Sequence, residues 1–340
     1  MGRKTKQNNL TTPELIAQIN PENAALARDF LDYLKSTKKA DTTILTYKND
    51  LEIAFVWGLQ NNSNKPFINW AKRDIVRFQN WLINDNGNGS ARVRRIKATL
   101  SSLSNYIENI LDDEYPNFRN IINKIENPVA RPVREKTVIT EEQLEHLLDV
   151  LVERQEYEKA CMVALAAYSG RRKSELVLFK ASYFSDENIV YGSLYKTPEK
   201  IKTKGRGGGK FIYCYTLANK FKPYFDLWMK EREGKGVQSE WLFPLTGDNS
   251  KHLQATTLNS WADSFSKIMD VNFYFHSLRH NFTTYLARCG IPDSVIASIV
   301  AWESTDMVAI YNDTTIDENL AKYFDENGIK QNEAKSIGDL

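Results

Sequence analysis

His276, Arg279 and His280 fall within one short stretch, Phe275-His276-Ser277-Leu278-Arg279-His280, and Trp302 and Tyr311 follow at wider spacing. An imidazole, a guanidinium, an indole and a phenol together suit attack on a phosphodiester. A guanidinium grips two phosphate oxygens at once, an imidazole moves the nucleophile's proton, and an indole N–H donates one further bond to the phosphate. A tyrosine becomes a nucleophile when its proton is removed as it attacks. Upstream, Gly170-Arg171-Arg172-Lys173-Ser174-Glu175-Leu176 supplies further arginine, and Lys202 and Lys204 flank Thr203 just before a glycine-rich run.

Each element also has a plainer reading. Arg172 and Glu175 are neighbours on a helical face at i, i+3 and could form a surface salt bridge. His276 and His280, one turn apart, could ligate a metal with Cys289. That reading lacks the glutamate of an H-E-x-x-H site and any Cys-x-x-Cys partner. Trp302 and Tyr311 could be core aromatics with satisfied polar tips. The run Gly205-Arg206-Gly207-Gly208-Gly209-Lys210-Phe211 looks like a phosphate loop, but its spacing is short and Phe211 stands where Ser or Thr is needed, which argues against an NTPase. The ordered conjunction favours phosphodiester chemistry.

These residues must be positioned by two kinds of segment. Helical periodicity runs over Ala24 to Ser36, Thr42 to Asn61, Ala71 to Asp85 and Ala91 to Leu111, separated by Asn, Gly and Lys clusters, so residues 21–126 read as a small helical domain. In the last of these, Arg92, Arg94, Arg95 and Lys97 open a helix whose apolar residues, Val93, Ile96, Leu100, Leu103 and Ile107, recur at three- and four-residue spacing. Such a helix packs by its apolar face and presents its basic start to phosphates or a major groove. The alternative is a solvated charged face. Two prolines at Pro128 and Pro132 mark residues 127–138 as a linker.

Beyond the linker, residues 139–327 read as a mixed domain. Thr140-Glu141-Glu142-Gln143 is a capping box that opens a helix. Ala160 to Tyr168 is apolar on all sides, as a buried helix ended by Gly170 should be. Short strands are expected around Asn188 to Tyr195 and Phe211 to Thr216, with a hairpin over Lys202 to Lys210 between them. Gly290-Ile291-Pro292 breaks the chain between the Arg279 helix and Val295 to Val300, placing Arg279 and Trp302 on separate elements that can converge. Residues 1–20 and 328–340 read as disordered. The fold class is mostly α with a small β-sheet (α+β).

Composition agrees without deciding. The 340-residue chain is 42% apolar and 26% charged, as expected of two globular domains. No long apolar run or secretory h-region is visible, and Cys161, Cys214 and Cys289 show no pairing pattern, so a cytoplasmic, nucleoid-associated protein with reduced thiols is expected. A net charge of +2 is low for a nucleic-acid binder. Its distribution is not even: residues 1–140 hold 21 Lys and Arg against 15 Asp and Glu, so the basic excess sits in the first domain.

The order Arg-x-x-Glu, Lys, His-x-x-Arg-His, Trp, Tyr resembles the tyrosine recombinases, the family of phage integrases, Xer and Cre, over roughly Ala24 to Phe324. The resemblance implies that Arg172 is the first catalytic arginine, with Arg171 a bystander. It implies that His276 and Arg279 form the His-x-x-Arg box, with Glu175 and His280 in supporting roles. Trp302 matches a position where most members carry histidine and a minority, Cre among them, tryptophan. Tyr311 matches the nucleophile, and Lys204, favoured over Lys202, the hairpin lysine. The fold implied is a helical core-binding domain and a mixed catalytic domain closing on duplex DNA, without an arm-binding domain. The reaction implied is cleavage and rejoining of duplex DNA at specific recombination sites through a 3'-phosphotyrosyl bond and a Holliday junction, with no metal or nucleotide cofactor.

The family's assembly is a tetramer on DNA in which a C-terminal helix, here Asp317 to Phe324 with Leu320, Tyr323 and Phe324 as its stripe, docks into the neighbouring subunit. Accessory DNA-bending or directionality proteins are possible partners. The alternatives are a type IB topoisomerase, which rejoins the same strand, and a noncatalytic DNA-binding protein on the same scaffold.

Overall fold

Proline and a polar cap start the chain's first two helices. The computed structural model describes residues 10–129, 139–203, 210–311, 324–325 and 328–329. Helix α1 (Pro13–Ala17) opens with Thr12 as its N-cap, and α2 (Pro21–Ser36) with Asn20, whose side chain accepts from the Glu22 N–H at 2.9 Å. Asn64 reaches back to hold the Asn20 backbone at 2.9 Å, and Ile19 is buried. The expectation of disorder through residue 20 is therefore corrected for residues 10–20: a short capped helix and one apolar anchor order them. Residues 1–9 lie outside the described residues.

Helices α3 (Asp41–Asn61), α4 (Lys72–Asn80) and α5 (Ser90–Ile110) complete this first unit, with a π-turn over Trp81–Asp85 after α4. Phe30 and Leu34 of α2, Leu51 and Phe55 of α3, and Val93, Ile96, Leu100 and Leu103 of α5 fill one core. The periodic spacing read from the sequence is what brings them together. Trp57, Trp70 and Phe78 pack as an aromatic cluster, with ring centroids 5.5 Å apart for Trp57 and Trp70 and 5.1 Å for Trp57 and Phe78.

Residues 139–203 and 210–311 build a second compact unit. The Thr140 hydroxyl accepts from the Gln143 N–H at 3.2 Å and the Gln143 side chain accepts from the Thr140 N–H at 3.0 Å, so the capping box opens α6 (Glu141–Glu153) as the sequence predicts. Helix α7 (Tyr157–Ser169) is buried around its whole circumference from Ala160 to Ala167. Gly170 ends it with φ 61°, and a Cβ at that position would lie 2.4 Å from Phe282 Cδ1, so both backbone and packing demand glycine. The chain then turns into the one-turn helix α8 (Lys173–Leu176).

The sheets are small and antiparallel. Strands β1 (Ile189–Val190), β2 (Leu194–Lys196) and β5 (Tyr215–Leu217) pair in the order β1-β2-β5, and β3 (Ile201–Thr203) pairs with β4 (Lys210–Ile212) as the expected hairpin. Its register sets Lys202 opposite Phe211 and Thr203 opposite Lys210. Helix α9 (Ala218–Gly234) packs along α7, and a second hairpin, β6 (Pro244–Leu245) and β7 (Asp248–His252), precedes α10 (Thr257–Met269).

Helix α11 (Phe275–Arg288) crosses α7. After Gly290 and Pro292 the chain forms α12 (Asp293–Val300) and α13 (Asp306–Tyr311). Phe282, Leu286, Ile296, Val300, Trp302 and Val308 form their common apolar core, so α13 is seated on α11 and α12. The C-terminal helix expected over Asp317 to Phe324 lies outside the described residues as far as 323. Phe324 itself sits in a two-residue strand, β8 (Phe324–Asp325), paired with β9 (Gly328–Ile329), which corrects the helical reading there and the unstructured tail at 328–329. No described helix is long and apolar enough to cross a membrane.

Candidate active site

Arg172 is fixed by the turn that follows Gly170. It occupies the N-cap position of α8, where its backbone N–H donates to Glu175 Oε2 at 3.2 Å and its Nη1 donates to Glu175 Oε1 at 2.9 Å. Thr203 at the end of β3 joins them. Its hydroxyl accepts from Arg172 Nη1 at 3.1 Å and donates to Glu175 Oε1. The pair is no surface salt bridge: the Glu175 side chain is 1% exposed and that of Arg172 28%. Burial alone would raise the Glu175 carboxyl, but Arg171, the Thr203 hydroxyl and Arg172 outweigh it and hold the group below the ordinary carboxylate range. An ionised Glu175 thus aims a guanidinium that remains open to solvent.

Arg279 comes from α11. Its Nη1 donates to the Gly170 carbonyl at 2.8 Å and its Nη2 to the Val300 carbonyl at 2.7 Å, so it ties the ends of α7 and α12 together. Its guanidinium carbon sits 4.9 Å from the Trp302 ring centroid, a cation–π contact shielded from water, since Arg279 is 1% and Trp302 8% exposed. Trp302 is set there by the end of α12, where Ala301 adopts a left-handed φ of 58° and the Trp302 N–H returns to the Ala297 carbonyl at 2.8 Å.

His276 lies one turn before Arg279 on α11, and its ring centroid is 5.6 Å from that of His280. Partial loss of hydration and then the charges of Arg279 and Arg172 draw its pKa below the ordinary histidine value. Arg172 and Arg279 therefore both act on one imidazole, which stays neutral and able to accept a proton at neutral pH. Among the described residues no cluster of three or more His, Cys, Asp and Glu could hold a metal ion.

Tyr311 closes α13, whose Val308 is fully buried, so its backbone is anchored to the α11 and α12 core that holds Arg279 and Trp302. Lys204 lies outside the described residues. Lys202 points outward from β3 between buried Ile201 and Thr203. Two contributors escaped the sequence reading. Thr203 carries no motif and is found only through the hairpin register. Arg171, read as the noncatalytic neighbour of Arg172, is fully buried and hydrogen-bonded to several elements.

The basic start of α5 is divided among tasks. Asp50 of α3 is fully buried and accepts from Arg95 Nη2 at 2.7 Å, Arg95 Nε at 3.2 Å and the Thr99 hydroxyl at 3.1 Å, with Arg92 Nη1 3.3 Å away. Lys97 is 3% exposed, and its Nζ donates to the Ile125 and Glu126 carbonyls at 2.9 and 3.0 Å. The expectation that Lys97 faces outward is corrected, because it falls four residues after Val93 and three before Leu100, on the buried face. Arg94 is exposed and borders a polar cleft with Ser101, Asn105 and Asn123.

Residues 137–318 match the model of the phage integrase family. The chain is 29% identical over 284 residues, 81% of each chain, to the SPbeta prophage-derived recombinase-like protein YomM of Bacillus subtilis. It is 23% identical over 287 residues to a tyrosine recombinase of Thermosipho africanus, covering 83% of this chain and 92% of that one. A lambda integrase tetramer bound to a Holliday junction shares its fold, with a TM-score of 0.62 at 16% identity over 85% of this chain and 77% of that one. The family match spans more than half the chain, over the segment that carries the Arg172, His276, Arg279 and Trp302 geometry: the protein belongs to the phage integrase family and is a tyrosine recombinase, a DNA strand transferase.

Proposed function

We propose that Tyr311 attacks a DNA phosphodiester held by Arg172 and Arg279. The observation that carries this reading is the pair of arginines held at the end of α7, Arg172 by Glu175 and Thr203 and Arg279 by the Gly170 and Val300 carbonyls, with His276 one turn before Arg279 and its pKa drawn down by both charges. As the phenolic oxygen bonds to phosphorus, its proton passes to His276 and the bond to the 5' oxygen breaks, leaving a 3'-phosphotyrosyl link and, after protonation by Lys204, a free 5' hydroxyl. Charge builds on the nonbridging oxygens as phosphorus becomes five-coordinate. Arg172, open to solvent and aimed by Glu175, meets that charge first. Each η nitrogen of Arg279 carries two hydrogens, so its carbonyl bonds use one apiece. Trp302 backs Arg279, and His280 supports His276.

Specific duplex sites are the substrate, with Arg94 and the α5 surface meeting the backbone and Arg92 and Arg95 restrained by Asp50. The working assembly is a tetramer on two paired sites, with the C-terminal segment that begins at Asp317 exchanged between neighbours and accessory DNA-bending or directionality proteins as further partners. The lambda integrase tetramer supports this reading by its shared fold. Rejoining to a second duplex separates recombination from topoisomerase-like relaxation.

Incubation with a randomised duplex pool, denaturation, and sequencing of DNA still linked to protein is expected to reveal the cleaved site. Tyr311→Phe is expected to recover no linked DNA yet bind the captured site within about twofold of wild type, since no charge is lost. Linked DNA from the Phe variant would assign the nucleophile elsewhere.

Lys204→Ala should slow cleavage of the captured site by roughly 10²–10⁴-fold, the usual worth of a general acid. A substrate with sulfur at the 5'-bridging position should be spared, because a thiolate leaves unaided. Selective slowing by Lys202→Ala instead would transfer the role to that lysine.

A base whose pKa is drawn down loses activity only at lower pH. Single-turnover cleavage should therefore hold from pH 8 to about 6.5, an ordinary histidine's pKa, and fall below it as His276 takes up a proton. His276→Gln should be slow and lack this acid limb; a limb kept unchanged by that variant would remove His276 as the base.

Deleting residues 317–340 should preserve binding to one site and abolish four-protomer complexes on two sites, as measured by light scattering. Full recombination by the truncated chain would exclude the exchange.

A further inference from the structure

Two arginines, not one, join the ends of α7 and α12. Arg279 bonds the Gly170 and Val300 carbonyls. Arg171 bonds the carbonyls immediately before them, its Nε donating to Ser169 at 3.3 Å and its Nη2 to Ile299. Arg171 also lies 4.0 Å from Glu175 Oε2 and donates to Cys214 Sγ at 3.8 Å. Its side chain is fully buried, so it does not serve as a surface charge.

A buried guanidinium is costly, and its ion pair with Glu175 is too loose to offset that cost alone. What compensates it is the chemistry of helix ends. The last carbonyls of a helix lack intrahelical donors and carry the negative end of its dipole. Ser169 ends α7 and Ile299 lies one residue before the end of α12, and a single planar fork satisfies both. The two segments so joined differ in content. One leads directly into Arg172, and the other into Trp302 and then α13, which ends at Tyr311.

We propose that Arg171 is a positioning residue that fixes the distance between the phosphate-gripping Arg172 and the α12–α13 segment bearing Trp302 and the nucleophile. This rests on the assignment of Arg172 and Tyr311 above. Arg279 alone leaves the junction a single pivot through Gly170 and Val300; Arg171 supplies the second tie that stops rotation about it. Because Arg171 also contacts Glu175, the same guanidinium restrains the carboxylate that aims Arg172. It touches neither DNA nor the reacting phosphorus.

The test uses the full-length protein and the captured duplex, nicked so that the released 5'-hydroxyl strand diffuses away and cleavage cannot reverse. The affinity for the duplex and the rate of covalent attachment at saturating protein are measured separately, at a temperature well below unfolding. Arg171→Met, which keeps the volume of the buried stem, is expected to bind within about threefold of wild type and to cleave roughly 10–100-fold more slowly, the cost of misplaced reacting groups. Arg171→Lys keeps the charge, on a single donor nitrogen in place of the planar fork, and should recover part of that rate. A purely structural role would lower the unfolding temperature and leave the saturated rate of folded protein unchanged. If Arg171→Met fails to fold, Arg171→Lys decides alone, by a slowed rate at unchanged affinity. Wild-type rates in the folded variants, with Arg172→Ala inactive, would overturn the positioning role; wild-type rates in Arg172→Ala as well would overturn the assignment of Arg172 on which it rests.

Discussion

The meeting of two helix C-termini, those of α7 and α12, is the constraint on which the site depends. Four carbonyls, of Ser169, Gly170, Ile299 and Val300, accept from Arg171 and Arg279. Unassisted, this junction would place two negative dipole ends and several unpaired acceptors in an apolar interior. Two guanidiniums supply the donors and the opposing charge. In the proposed reaction Arg279 is both a structural tie and a phosphate ligand, and it lies buried on α11 one turn after His276 and against the Trp302 ring. Gly170 makes the junction possible: its left-handed φ turns the carbonyl toward Arg279, and its missing side chain admits Phe282.

Legibility in the sequence followed the range of the interaction. Local signals were readable: the Thr140 to Gln143 capping box, the all-apolar α7, the stop at Gly170 and the break at Gly290 to Pro292 each depend on residues a few positions apart. The His276 to Arg279 spacing on α11 was readable for the same reason. Contacts across long separations were not. Thr203 meets Arg172 across 31 positions and Arg171 meets Ile299 across 128, and no spacing rule anticipates either. The short α1 was missed because polar composition resembles disorder; Thr12, Asn20 and Asn64 use that polarity to cap and hold it instead.

The α5 helix shows how a basic cluster misleads when read by composition. Lys97 lies on the apolar face, and its ammonium terminates the carbonyls of Ile125 and Glu126. Arg92 and Arg95 compensate Asp50, whose burial raises its carboxyl despite Arg95 and Thr99. Both guanidiniums stay part exposed, with side chains 29% and 45% accessible, so an Asp50 pairing is compatible with further hydrogen bonds on their outer edges. The internal pairing also reduces the positive field that this face presents. A modest net charge is thus distributed between holding α3 against α5 and leaving Arg94 outward.

Two of the buried acidic side chains, Asp50 and Glu175, make opposite use of the same chemistry. Asp50 is desolvated more than its partners compensate, and its neighbours serve the packing of a helical bundle. Glu175 has Arg171 on one side and Arg172 with Thr203 on the other, and these overcome its burial. The difference lies in what the partners are free to do. Arg171 has no freedom, being bonded to two helix ends; it serves as a fixed countercharge that, with the Thr203 hydroxyl and Arg172, keeps Glu175 ionised. In the proposed reaction Arg172 exchanges part of its contact with Glu175 for a phosphate oxygen, and the carboxylate keeps the Thr203 hydroxyl and the nearby charge of Arg171. In that reaction the buried arginine adjacent in sequence to Arg172 lets Arg172 bind an anion without isolating a buried charge.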